Sequence, residues 1–208
     1  MRRPVLGMGG GAEARRATVS PLDRDRPLVE AARREPARFD ALYRRYLAQV
    51  YSYAFYELRD HHDAEDVTER TFLAALANLD RFEERARPED GADASTFRVW
   101  LFRIARNAVA NHRRDRRRHP VAPLEAAAGI PAAVDVEGDA SRGDEAAAAW
   151  RAVDRLPADR RRAVVLRFVE EMSTTEIAAV LGRSEGAVRV LLHRALRSVG
   201  RDLRGDRA

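Results

Sequence analysis

Three runs of charge in this chain could do chemistry, and each calls for a different partner. From Arg103 to Arg118 there are seven arginines and one acid, Asp115. A solvated helix end usually mixes in acids to limit self-repulsion, so a run this one-sided fits a polyanion lying along it. A second basic run holds Arg189, His193, Arg194 and Arg197 behind Ser184, Glu185 and Ala187. The third run is acidic, with Asp63, Glu65, Asp66 and Glu69 beside His61 and His62. Adjacent histidines on a helix point in different directions, so no metal site is expected there. No other carboxylates or histidines cluster at a workable spacing. The expectation is a binding protein with no catalytic residues, no cofactor and no metal.

The whole chain sets the limits. Of 208 residues, 38 are basic and 33 acidic, and every basic residue is arginine. Arginine's planar fork suits phosphate and guanine edges, but a GC-rich genome gives the same composition. The net charge of +5 is modest, so a nucleic-acid partner must be argued from where the charge sits. The absence of cysteine excludes a disulfide scaffold, thiol catalysis and a cysteine-ligated zinc. The opening residues lack the apolar run of a signal peptide, and no window approaches the ~18 apolar residues of a membrane span. A cytoplasmic protein is expected.

The elements that must carry these charges are helices. Residues 1–27 have no apolar period and read as an extension without regular structure. Phe39, Leu42, Tyr43, Tyr46, Val50, Tyr53 and Ala54 recur at three- and four-residue steps, the mark of one helix face. A second helix opens at Asp60 or Asp63 and buries Ala64, Val67, Thr71, Phe72, Ala75, Leu76 and Leu79. A polar loop follows from Asp80. Ser95 or Thr96 caps a third helix with Phe97, Trp100, Leu101, Ile104 and Ala108 on its inner face. Residues 119–143, with three prolines and three glycines, read as a linker. A second helical block runs from 144 to the end, with Val164, Val165, Leu166 and Phe168 on one helix. No strand-like alternation occurs. The fold class is all-α: two small helical domains, 28–118 and 144–208, joined by a flexible linker.

The segment "TTEIAAVLGRSEGAVRVLLHRAL" is the sharpest local signal. Ile177, Ala178 and Leu181 make a short apolar helix, Gly182 supplies a left-handed stop, and Ser184 caps the next helix. Two short helices about a glycine turn form a helix-turn-helix, whose second helix presents its N-terminal residues to the major groove. Ser184, Glu185, Ala187, Arg189, His193, Arg194 and Arg197 are the candidate DNA contacts. Arg189 and Arg194 lie five residues apart and so point about 140° from each other, at 100° per residue. They cannot share one base edge.

Four segments, "FDALYRRYLAQVYSYA", "DAEDVTERTFLAAL", "FRVWLFRIARNAVANHRR" and "LPADRRRAVVLRFVEEMSTTEIAAVLGRSEGAVRVLLHRAL", follow one another in a familiar order. The chain resembles the extracytoplasmic-function (ECF) sigma factors, the group of the bacterial sigma-70 family that keeps only the second and fourth domains. The resemblance implies an alternative sigma factor that binds core RNA polymerase, recognises −10 and −35 promoter elements and helps to melt DNA. It places Asp63, Glu65, Asp66, Glu69 and Phe72 on the coiled coil of the polymerase β′ subunit, with the β subunit as a further contact. It places Arg103, Arg106, Asn107, Asn111, Arg113 and Arg114 along the −10 element and the helix-turn-helix on the −35 element. The loop from Asp80 to Thr96 matches the segment that captures a base flipped from the −10 element. An anti-sigma factor is a further candidate partner. Glu69 and Arg70 depart from the family's usual glutamine and glutamate, and Leu191 stands where many relatives carry an arginine.

The linker's length is compatible with this reading. About 24 residues span at most roughly 80 Å extended, or about 23 base pairs at ~3.4 Å each. A stand-alone helix-turn-helix regulator is the alternative. It would need a dimerisation surface or ligand pocket, and neither is evident in the sequence.

Overall fold

The computed structural model describes residues 24–84, 95–118 and 140–205. The expectations for residues 1–23 and 119–139, and for most of the Asp80–Thr96 loop, fall outside these, whereas residues 24–27 and 140–143, read as extension and linker, carry a buried Asp25 and the first turns of helices that begin at Arg26 and Ala140. Eight α-helices and two short 3-10 turns make up the described residues, with no strand among them. Helices α1 (Arg26–Arg34), α2 (Phe39–Leu58), α3 (His61–Ala77) and α4 (Thr96–Arg118) form the N-terminal block. Helices α5 (Ala140–Asp154), α6 (Ala158–Phe168), α7 (Thr174–Leu181) and α8 (Glu185–Gly205) form the C-terminal one.

Pro36 opens a 3-10 turn that separates α1 from α2, where the fixed φ of proline is accommodated. Helix α2 stops at Arg59, which takes a left-handed φ of 59° in place of the usual glycine. Asp60 then caps α3 by accepting from the Asp63 amide at 2.9 Å. Leu42, Tyr46, Val50 and Tyr53 of α2 are fully buried against Ala64, Val67 and Phe72 of α3 and Phe97, Leu101 and Phe102 of α4. The apolar stripes read from the sequence thus meet in one place. Three members stay outside: Tyr43, Leu76 and Phe168 are exposed.

The two blocks pack on one another. Val165, Leu166, Met172, Ile177 and Val180 of the C-terminal block belong to the same buried cluster as the core of the N-terminal block. Trp150 of α5 stacks on Tyr56 of α2 with ring centroids 4.8 Å apart. Charge completes the contact. Glu57, at the end of α2 and 4% exposed, accepts from Arg162 of α6 at 3.0 and 2.9 Å and pairs with Arg113 of α4 at 2.9 Å. Arg59 pairs with Asp154 of α5.

A second acid at this contact has no such company. Glu170, between α6 and α7, is 1% exposed, and its Oε1 has no hydrogen-bond partner. Burial pushes its carboxyl up to about 8, with Arg98 pulling the other way. The folded state therefore holds a proton that the unfolded chain, with a glutamate near 4.3, has already released. Stability attributable to this group is complete below pH ~4 and is lost as pH rises to about 8. Thermal melting of wild type and Glu170→Gln across pH 5–9 checks this. The Gln variant should lose less stability over that range, and parallel curves would contradict the assignment.

Candidate nucleic-acid and polymerase interface

Helix α4 divides its residues by angle. Phe97, Leu101, Phe102, Ala105, Val109 and His112 face the core. Arg103, Asn107, Asn111, Arg114 and Arg118 are exposed and fall within about 80° of arc at 100° per residue. They form one continuous polar stripe along more than four turns. Arg106 and Arg113 lie on its flank and are engaged elsewhere. Arg106 donates to the Val180 carbonyl of α7 at 2.8 Å, and Arg113 turns to the Glu57 carboxylate and carbonyl. The six residues expected on the −10 element thus split into four on an open face and two held inside the contact between blocks. Trp100 is half-buried against Phe82 and Phe97, at 5.1 and 5.6 Å between centroids, and packs on the core rather than offering a stacking face.

The acidic run on α3 divides in the same way. Glu65 and Glu69 are exposed and Asp66 is half-buried. Asp63, which the resemblance places on the polymerase, is tied to the far end of α4. Its carboxylate pairs with Arg116 and lies 3.2 Å from Nε2 of His112, leaving its side chain 15% exposed. Phe72 needs the same revision. It packs edge-on against Phe39 and Tyr43 at 6.4 and 4.8 Å, inside the core, so its ring offers nothing to a partner. The apolar surface beside the acids comes from Leu73, Leu76 and Tyr43, all exposed. Helical spacing alone places Phe72 and Leu73 100° apart, and only the position of α2 decides which one is covered.

The helix-turn-helix forms as its turn chemistry requires. Ser173 and Glu176 make a reciprocal capping box at the start of α7, and Gly182 ends it with φ 65°. Ser184 caps α8 by accepting from the Ala187 amide at 3.2 Å, so its hydroxyl serves the fold. Glu185 is half-buried, held by Thr175 at 2.8 Å and Arg189 at 2.7 Å. Arg189, His193 and Arg197 are exposed within about 80° of arc, whereas Arg194 points about 140° from Arg189. The Glu185–Arg189 pair is an exposed i,i+4 contact worth only a few tenths of a kcal/mol, so Arg189 is readily released to a stronger partner.

What sequence reasoning missed is how the blocks are joined. Arg98 of α4 donates to Oε1 of Glu176 of α7 at 3.1 and 2.6 Å, with both side chains nearly buried. The other oxygen of Glu176 completes the capping box by accepting from the Ser173 amide at 2.9 Å. A spacing of 78 residues carries no local signal for such a pair. Among the described residues no group of histidines, aspartates or glutamates could hold a metal ion. No helix among them is long and apolar enough to cross a membrane.

Comparison with known proteins fits this geometry. Residues 42–119 match sigma-70 region 2 and residues 146–199 match sigma-70 region 4. The chain is 35% identical over 181 residues to the ECF RNA polymerase sigma factor BldN of Streptomyces coelicolor, covering 86% of this chain and 66% of that protein. It is 32% identical over 175 residues to the ECF RNA polymerase sigma factor SigL of Mycobacterium tuberculosis, covering 81% of this chain and 90% of that protein. Among solved structures, CnrH in complex with the cytosolic domain of CnrY is similar at 28% identity. Its TM-score is 0.62, with 88% of this chain and 98% of that one covered. The sigma factor RpoE of Bartonella quintana, in complex with the anti-sigma factor NepR, is similar at 25% identity and a TM-score of 0.61, covering 80% and 96%. With both sigma-70 regions matched in order and one relative aligned over nine-tenths of its length, the chain belongs to the ECF sigma factors of the sigma-70 family.

Proposed function

We propose that this chain is an alternative sigma factor that works as two units, 28–118 and 144–208, joined through residues 119–143. It brings core RNA polymerase to promoters, the first unit engaging polymerase and the −10 element and the second the −35 element. The observation that carries this reading is a pair of exposed basic stripes on separate blocks. One is Arg103, Asn107, Asn111, Arg114 and Arg118 on α4, and the other is Arg189, His193 and Arg197 on α8. A stand-alone regulator with one helix-turn-helix has no use for the α4 stripe.

On this reading the chain supplies no catalytic group; polymerisation belongs to core polymerase, and the complex acts in the cytoplasm. The packed arrangement is a resting form, because Arg106 and Arg113 are occupied within it. An anti-sigma factor is a fitting partner for that form, as RpoE of Bartonella quintana is known in complex with the anti-sigma factor NepR and CnrH in complex with the cytosolic domain of CnrY. Glu65, Asp66 and Glu69, with Leu73 and Leu76, supply an acidic and apolar face suited to a basic coiled coil. Arginine at Glu65, Asp66 and Glu69 together should weaken co-elution with core polymerase at least tenfold while circular dichroism stays unchanged. Asp63 is left out because its loss would also free Arg116. Undiminished co-elution would remove α3 from the polymerase interface.

A further inference from the structure

Glu170 sits where α6 gives way to α7, in the wall of the core that the two blocks share. Leu166 and Met172 on either side of it belong to that buried cluster, and Val169 packs against it. The N-terminal block covers it from two helices. Arg98 of α4 reaches its backbone carbonyl with Nη1 at 3.4 Å. Tyr56 of α2 lies near enough for the Glu170 charge to push its hydroxyl pKa up.

Nothing at this contact is arranged to hold a negative charge on Glu170. Oε1 is buried without a hydrogen-bond partner. Arg98 is the cation turned toward it, and both Nε and Nη2 of Arg98 are spent on Glu176, itself an acid. Within its own block, Arg167 donates to the Met172 carbonyl at 2.8 Å, and Glu171 is exposed. An ionised carboxylate in this wall is costly, whereas a neutral carboxyl is tolerated. Separating the blocks would remove Arg98 and Tyr56 from its surroundings and open it to water, which favours the charged form.

We propose that Glu170 is a proton-operated latch between the blocks: neutral, it lets α6 and α7 seat on α2 and α4, and ionised, it drives them apart. Separation releases Arg106 from the Val180 carbonyl of α7, so loss of the proton adds Arg106 to the open stripe of α4. That consequence for DNA rests on the function proposed above; the link between proton and packing does not. The sign follows from burial. The carboxyl releases its proton near ~4.3 when exposed to water and only at about 8 when packed. The ratio of separated to packed molecules is therefore constant below pH ~4, climbs with pH, and levels off above about 8.

The test uses the full chain without polymerase or DNA, so its outcome is separate from that of the co-elution experiment. The chain has no cysteine. Ala77→Cys on α3 and Val190→Cys on α8, both exposed, therefore carry a donor and an acceptor dye on opposite blocks. Single-molecule energy transfer then counts packed and separated molecules. From pH 6 to pH 8 the ratio of separated to packed should rise at least about tenfold, against a limit of about a hundredfold for one proton over two pH units. Glu170→Gln should lose that rise and stay packed, whereas Glu171→Gln, at the exposed neighbour, should keep it. Repeating the series with Arg162→Ala, which loosens the contact through Glu57, brings a sparse separated form into range. A ratio that ignores pH in both backgrounds overturns the latch. So does a rise in Glu170→Gln equal to that of wild type, or its loss in Glu171→Gln.

Discussion

Replacing Glu57 by glutamine should destabilise the protein by about 2–3 kcal/mol, more than any other single polar substitution at the contact between blocks. Glu57 is the common acceptor for Arg162 of α6 and Arg113 of α4, and its side chain is 2% exposed. Removing one partner of a buried ion pair costs 3–5 kcal/mol when the other charge is trapped. Here the guanidiniums are 17% and 31% exposed, so each can partly turn to water, and the figure is discounted accordingly. Arg162→Ala should cost less, near 1 kcal/mol, because Arg113 still neutralises the carboxylate. The double variant should fall short of the sum by at least ~0.5 kcal/mol, since the residues share one network. Urea denaturation of the four proteins measures all three quantities. Simple additivity would show that Arg162 and Glu57 act independently.

The second large effect belongs to the arginine end of α4. Alanine at Arg116, Arg117 and Arg118 should lower the salt dependence of promoter binding by holoenzyme. At ~0.9 per neutralised phosphate, three free arginines would lower the slope by about 2.7. Arg116 is already paired with Asp63, whereas Arg117 and Arg118 are exposed without an intervening acid. The expected fall is therefore nearer 1.8. Raising salt fourfold would then cost the variant roughly tenfold less affinity than wild type, and equally so for every promoter, because phosphate contacts carry no sequence information. Fluorescence anisotropy against salt on two unrelated promoters decides it. An unchanged slope would mean that this end of α4 is a solvated terminus.

Much of the fold was legible because its signals are local. The stripe on α2, the Asp60 and Ser184 caps and the left-handed Gly182 each need only a few neighbouring residues to identify them. The helix-turn-helix was legible for the same reason. What escaped depends on which helix covers which. Asp63 and Glu65 look alike in sequence, yet one faces α4 and is paired while the other faces solvent. Phe72 and Leu73 are neighbours of similar hydrophobicity, and only the packing of α2 buries the first. Arg98 carries no local mark of a partner 78 positions away. Nor does Asp25, whose partners lie 21 and 70 residues distant, announce its burial.

The shared carboxylate of Glu176 makes the contact between blocks unequal from its two sides. One oxygen holds Arg98 and the other finishes the first turn of α7. Altering Glu176 to loosen the blocks also removes a cap worth about 1 kcal/mol from the DNA-binding unit itself. Altering Arg98 loosens them and leaves that cap intact. Mutation can therefore move the balance between packed and separated forms cheaply from the N-terminal block and only at a loss from the C-terminal one. Arg98 carries one duty at this contact, whereas Glu176 carries two, one to each block.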